Sequence, residues 1–173
     1  MSDDPPDVET VRIDFIEKTG LISQAEGLPR IAGRVFGMLI FDGKMVSFGD
    51  FAKRLQVSRA SISTSIRILE ERGLVKRITK PGERQDYFQL APNPYATMLS
   101  GIQRRTQATM NEIAQTISNL PEQAEAAGRL KAYANFYSSM DAAVAVALEK
   151  LKSANAISTQ QRPAALEDNT DDK

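Results

Sequence analysis

The sequence predicts a mainly helical chain with one small β-hairpin, an α+β arrangement. Three observations carry this prediction. Apolar residues recur every three to four positions over much of the chain, the period of a helix with one buried face. Two short runs rich in branched and aromatic residues, "LVKRI" and "YFQL", flank the turn-forming stretch "TKPGERQD", which is how a hairpin reads in sequence. From Leu99 onward the apolar positions settle into alternating steps of three and four, a coiled-coil-like seam.

The elements follow in order. Residues 1–7 hold two prolines, three aspartates and nothing to bury, the composition of a disordered tail. A helix is expected from Val8 to about Leu21, marked by Val8, Val11, Phe15 and Ile16. "EGLPR" is a loop, and Pro29 is placed to open the next helix. That helix, Arg30 to Phe41, carries Ile31, Val35, Met38 and Leu39 on one side and ends at "DGK". Gly33 and Gly37 sit four apart and would let another backbone approach closely. No run of about 18 apolar residues exists to cross a membrane, so the pair reads as helix packing.

Ser47 is placed to cap a short helix, and Asp50 three residues later suits the reciprocal first-turn position. Phe48, Phe51, Ala52 and Leu55 form the buried stripe of that helix. Gln56 and Val57 make a tight turn, and Ser58 caps the following helix, about Arg59 to Arg72. Gly73 stops it, and the hairpin comes next. In the region 95–153, one seam runs through Leu99, Ile102, Thr106, Thr109, Ile113, Thr116 and Leu120. After Pro121 a second runs through Leu130, Tyr133, Tyr137, Met140, Val144, Ala147 and Leu151. Threonines weaken the first, which makes it a packing face rather than a zipper. From 154 to 173 the chain turns polar and reads as a second disordered tail.

Composition narrows the function. Cysteine and histidine are both absent, which removes the usual zinc ligands, the thiol nucleophile and the commonest general base. No two of the remaining carboxylates, lysines and tyrosines form a catalytic spacing, and no glycine-rich phosphate loop follows a strand. No enzyme, metal or cofactor is expected. The acidic start "MSDDPPDVET" is unlike a secretory signal, and a chain without cysteine is expected in the cytoplasm. The formal net charge is zero, yet between Lys53 and Arg84 nine basic residues face three acidic ones. A local excess of +6 on a neutral chain is the footprint of a face that meets phosphate.

Within that segment lies "SRASISTS", a run of hydroxyl residues on a helix. Serine and threonine are mediocre helix formers because their hydroxyls compete for the backbone. Ile62, Ile66 and Leu69 fall on one side of the helix; Arg59, Ala60, Ser63, Thr64 and Arg67 fall on the other. A helix meant only for solvent would carry Glu, Lys and Gln there. The major groove of B-DNA, about 12 Å wide, admits one helix, with Ser and Thr bonding to bases or phosphates and Arg forking onto guanine. A short helix, a tight turn, a second helix and a hairpin together describe a winged helix-turn-helix. Its hairpin tip holds Lys80, Pro81, Gly82 and Arg84, a basic loop within reach of a minor groove or its phosphates. Glu83 and Asp86 flank Arg84 and are placed to orient it. The bland readings are a solvated helix face and a solvated turn, and for Glu70, Glu71 and Arg72 a solvated helix end is preferred. Lys53, Arg54, Lys76 and Arg77 are phosphate candidates, but two consecutive basic residues cannot both face the duplex equally.

The stretch "FGDFAKRLQVSRASISTSIRILEERGLVKRITKPGERQDYFQL" resembles the DNA-binding core of MarR-type winged-helix transcriptional regulators. With "GLPRIAGRVFGMLI" ahead of it, the chain is most similar to the GbsR-like branch. The resemblance runs from about Ile13 to Tyr95, roughly half the chain. It implies N-terminal helices plus a DNA-binding domain over 8–94 and a C-terminal dimerisation region over 95–153. It implies a homodimer on double-stranded DNA, by expectation a repressor, reading an inverted repeat. The family's DNA-contacting positions fall on Ser58, Arg59, Ala60, Ser61, Ser63, Thr64 and Arg67, with Lys80 and Arg84 on the wing. Many members bind a small effector between the dimerisation helices and the DNA-binding domain. Tyr133, Phe136 and Tyr137 could line such a pocket, although aromatics at helical spacing more often pack. The rival expectation is a winged-helix protein–protein module without DNA binding, whose face should show apolar or acidic residues.

Overall fold

The computed structural model describes residues 5–121 and 124–160, with side chains through Ser153. Of the two expected tails, residues 1–4 and 161–173 lie outside the described residues. The chain divides into two compact units, Met1–Met98 and Leu99–Lys173.

Asp7 opens the first helix, α1 (Val8–Ala25), by accepting from the Thr10 amide at 2.9 Å. No glycine or proline follows Leu21 until Gly27, so α1 continues past its expected end. Only Ile16, Gly20 and Ser23 of α1 are buried, while Val8 and Val11 are exposed. The second helix, α2 (Arg30–Asp42), is stopped by Gly43 in the left-handed conformation at φ 60°. Its two glycines do what their spacing predicts. A Cβ on Gly33 would stand 2.5 Å from the Ser23 Cβ and 2.7 Å from the Thr19 carbonyl oxygen; on Gly37, 2.9 Å from the Thr19 Cβ. Bare backbone there lets α1 and α2 lie in close contact.

Ion pairs extend this contact. The Asp42 carboxylate accepts from Arg12 Nε at 2.6 Å and Nη2 at 2.9 Å, and from Arg54 at 3.2 Å. The Arg12 hydrogen bonds hold the Asp42 carboxyl below its ordinary pKa, against the opposing effect of burial. Asp42 thereby joins α1, α2 and the helix that carries Arg54.

That helix, α3 (Phe48–Leu55), is capped by the Ser47 hydroxyl, which accepts from the Asp50 amide at 3.1 Å. Asp50 answers by bonding the Ser47 hydroxyl at 2.8 Å rather than the Ser47 amide, a shorter reach than the usual glutamate makes. Helix α4 (Arg59–Glu71) follows, and Gly73 at φ 67° ends the turn after it. The sheet contains one strand more than the sequence predicts. Besides β2 (Val75–Ile78) and β3 (Tyr87–Leu90), β1 (Val46–Ser47) pairs antiparallel with β3, Val46 opposite Phe88. The order is β1-β3-β2. Two residues cannot show a period of two, so this strand is set by its distant partner rather than by local pattern.

The core of this unit gathers Ala32, Val35, Met38 and Leu39 from α2, Phe51 and Leu55 from α3, and Ile62, Ile66 and Leu69 from α4. Leu74, Val75 and Phe88 close it from the sheet side. Phe51 and Phe88 bring their rings to 6.3 Å in a tilted pair.

Helix α5 (Pro94–Ser118) leads into the second unit, which also contains α6 (Ala126–Gln160). The seam on α5 is visible in burial: Thr106 and Ile113 are buried, Leu99, Ile102 and Thr109 half-buried, Thr116 exposed. Thr109 and Thr116 turn their hydroxyls back to the Arg105 and Glu112 carbonyls at 3.0 and 2.9 Å, the local bond that lets threonine sit inside a helix. On α6, Leu148 is buried and Leu130, Tyr137, Met140, Val144, Ala147 and Leu151 are half-buried, with Tyr133 exposed. The α6 backbone runs to Gln160, past the expected tail boundary at 154, because no proline or glycine interrupts "SANAISTQ".

Candidate nucleic-acid interface

The turn between α3 and α4 sets the geometry of the site. Gln56 adopts a left-handed φ of 52° and ends α3, its amide bonding the Ala52 carbonyl. Two residues later the Ser58 hydroxyl accepts from the Ser61 amide at 3.1 Å, opening α4. The Ser58 and Ser61 hydroxyls also bond each other at 2.8 Å. Both therefore serve the helix cap.

Burial sorts the rest of the hydroxyl run. Ile62, Ile66 and Leu69 are buried, as the pattern predicts. Ser65 is buried as well, lining a shallow cleft with Pro29 and Ile31. Arg59, Ala60, Ser63, Thr64 and Arg67 are all exposed along one side of α4. Ser63 and Thr64 are thus the free hydroxyls of that face. The run has three parts: a cap, a buried position, and an open polar surface.

The cations divide just as clearly. Arg59 lies against the Phe48 ring, its guanidinium carbon 5.6 Å from the centroid, which ties it across the turn to α3. Among the described residues, Arg67 has only a distant carboxylate, Glu71, at 3.9 Å. Of the consecutive pairs, Arg54 is engaged by Asp42 at 3.2 Å. Arg77 is engaged by Glu70 at 3.1 Å and Asp86 at 3.0 Å. Lys53 and Lys76 are exposed, with no carboxylate in ion-pair reach among the described residues. Glu70 is half-buried and bonded to Arg77, so it is not the solvated end that its position predicts.

The wing is built differently from expectation. Gly82 at φ 81° makes the turn, and the Glu83 amide bonds the Lys80 carbonyl at 3.1 Å. Lys80 stands over the Tyr87 ring, Nζ 4.2 Å from the centroid, and 3.8 Å from Glu83. Tyr87 donates its hydroxyl to Glu83 and accepts from Gln85 at 2.9 Å. The bond to Glu83 raises the Tyr87 pKa. Glu83 and Asp86 are therefore occupied by Tyr87 and Arg77, and neither orients Arg84. Arg84 is exposed at the tip, with no partner among the described residues. Gln85 and Tyr87 were silent in the sequence, because their role depends on the hairpin bringing Tyr87 back beside the tip.

The α4 face, Lys53, Lys76 and the wing tip all belong to the first unit. Among the described residues no group of acidic side chains could hold a metal ion, and no helix is long and apolar enough to cross a membrane. On α6, Tyr133, Phe136 and Tyr137 pack edge-on against one another at 5.1 and 5.3 Å between centroids, and the two tyrosine hydroxyls lie 3.2 Å apart.

Comparison with known proteins agrees with this architecture. Residues 26–85 match the MarR family model. Over 85 residues the chain is 35% identical to the HTH-type transcriptional regulator MmpR5 of Mycobacterium tuberculosis, covering 49% of this chain and 52% of that protein. The chain spans about half the length of the curated relatives it matches. A crystal structure of a transcriptional regulator superposes with a TM-score of 0.66 at 27% identity, covering 82% of this chain and 98% of that one. The first unit thus has a winged helix-turn-helix fold, and its residues 26–85 are similar to the MarR family.

Proposed function

We propose that the chain is a sequence-specific, DNA-binding transcriptional regulator. It acts as a homodimer, each protomer laying α4 in a major groove and its wing beside an adjacent minor groove. The observation that carries this reading is the open side of α4: Arg59, Ala60, Ser63, Thr64 and Arg67 are all exposed, and none is covered by the protein's own core. Arg67 is the candidate for bidentate guanine reading, and Ser63 and Thr64 for short-range bonds to bases or phosphates. Lys53 and Lys76 serve as phosphate anchors, and Arg84 reaches from the wing.

The reading extends to a cytoplasmic repressor of the GbsR-like branch whose DNA binding a small effector relieves. "GLPRIAGRVFGMLI" supports the branch, since that helix ahead of the motif is what sets it apart in the sequence. Residues 95–153 are assigned to dimerisation. Their support is the seam of half-buried residues on α5 and α6, together with Tyr133, Phe136 and Val146 left exposed on α6. The rival, a protein–protein module, is disfavoured because its face should carry aromatic, aliphatic or acidic groups.

The test is recovery and sequencing of genomic fragments bound by the purified chain, with and without cell extract. The expected result is a small set of fragments sharing an inverted repeat, with half-sites spaced by about 10 base pairs or a multiple of that. Recovery of no preferred fragment would overturn the reading.

A further inference from the structure

We propose that Arg77 is a positioning residue: it locks the wing to the recognition helix and does not itself bind phosphate. The inference rests on the DNA-binding reading above and deepens it. Arg77 sits on β2, next to Lys76, and by position both could anchor a DNA strand. The structure separates them. Arg77 Nε and Nη2 donate to the two carboxylate oxygens of Glu70 at 3.2 and 3.1 Å, and Nη1 donates to Asp86 at 3.0 Å. Every guanidinium nitrogen is used. Glu70 lies in the last turn of α4, and Asp86 immediately precedes β3. One side chain therefore joins the end of the recognition helix to both strands of the wing.

Its remaining contact points the same way. The guanidinium carbon is 5.4 Å from the centroid of Phe88, a core residue only 1% exposed. The planar fork is thus held by carboxylates at its edge and by a fixed ring on its face, a site that lysine cannot fill. Single exposed ion pairs contribute little, but a bidentate pair within a network is the exception. Charge also argues against a phosphate role. Two carboxylates share one cation, so a phosphate approaching Arg77 meets a cluster with a net negative charge. Lys76, exposed and with no carboxylate in ion-pair reach among the described residues, has no such obstacle. Fixing the helix and wing before binding lowers the ordering cost of engaging two grooves together.

The test compares four variants of the full chain on a DNA fragment that the wild type binds, across a salt titration. Glu70→Gln combined with Asp86→Asn makes the face more positive. A phosphate-binding Arg77 would be freed by it and binding would tighten, whereas loss of the clamp weakens binding by about tenfold. Arg77→Lys keeps the charge but not the fork, and is expected to weaken binding as Arg77→Ala does, with an unchanged salt slope. Lys76→Ala, by contrast, should make the log–log slope shallower by about 0.9 for each phosphate that Lys76 neutralises. Tighter binding by the double variant, or wild-type affinity in Arg77→Lys, overturns the proposal. Amide hydrogen exchange on the DNA-free chain keeps the two readings apart. Arg77→Ala should speed exchange across β2 and β3 relative to α1 and α2, whether or not any DNA binds. Unchanged exchange there overturns the clamp, while absence of DNA binding by the wild type overturns only the regulator reading.

Discussion

Replacing Thr64 with glutamate is expected to cut DNA affinity by roughly a hundredfold or more, since a carboxylate set against phosphates and acceptor-rich base edges costs several kcal/mol. Thr64 is exposed on α4, beside Ala60, Ser63 and Arg67. Among the described residues it has no side-chain hydrogen bond for the fold to lose, and glutamate is the better helix former. Stability should therefore stay within about 0.5 kcal/mol of wild type. Thr64→Gln separates size from charge: if bulk alone mattered, Gln and Glu would be equally harmful. Equilibrium binding to a recovered fragment, paired with thermal unfolding of each variant, makes the measurement. Glutamate at 64 with undiminished affinity would remove the α4 face from the interface.

The largest expected loss of stability lies at Phe51. Its side chain is fully buried and its ring meets Phe88 at 6.3 Å. It stands where α3, α4 and the sheet converge, so little can move in to fill the space it would leave. Phe51→Ala should cost about 3–5 kcal/mol, the sum of lost transfer free energy and an unfilled cavity. Since single domains are stable by only about 5–15 kcal/mol, the denaturant midpoint should fall steeply, and DNA binding should fall with it. The pair of results separates two kinds of residue on one helix-turn-helix. Phe51 acts through the fold, and Thr64 acts through the surface.

Much of this was legible from local pattern. Asp50 three residues after Ser47, Ser58 before "RASISTS" and Gly73 after "LEER" mark helix boundaries by their chemistry, and the boundaries fall there. Ile62, Ile66 and Leu69 named the buried side of α4 and so named the open side. What stayed hidden depends on residues far apart in sequence. Ser61 looks like Ser63 and Thr64 by residue type, and Ser65, though it projects beside Ile62 and Leu69, is not apolar. Only the cap geometry shows that Ser61 bonds Ser58, and only burial shows that Ser65 belongs to the closed side of α4. Neighbouring cations looked equivalent until Asp42 claimed Arg54 and Glu70 and Asp86 claimed Arg77. β1 was invisible for the same reason, its two residues being a strand only because β3 lies beside them.

The most direct test of the central claim, that the open side of α4 and its flanking cations meet DNA, is the salt dependence of binding to a recovered fragment. Neutralising six to ten phosphates per dimer should give a log–log slope of about −5 to −9. A slope near zero, with affinity unchanged between low and physiological salt, would contradict the account.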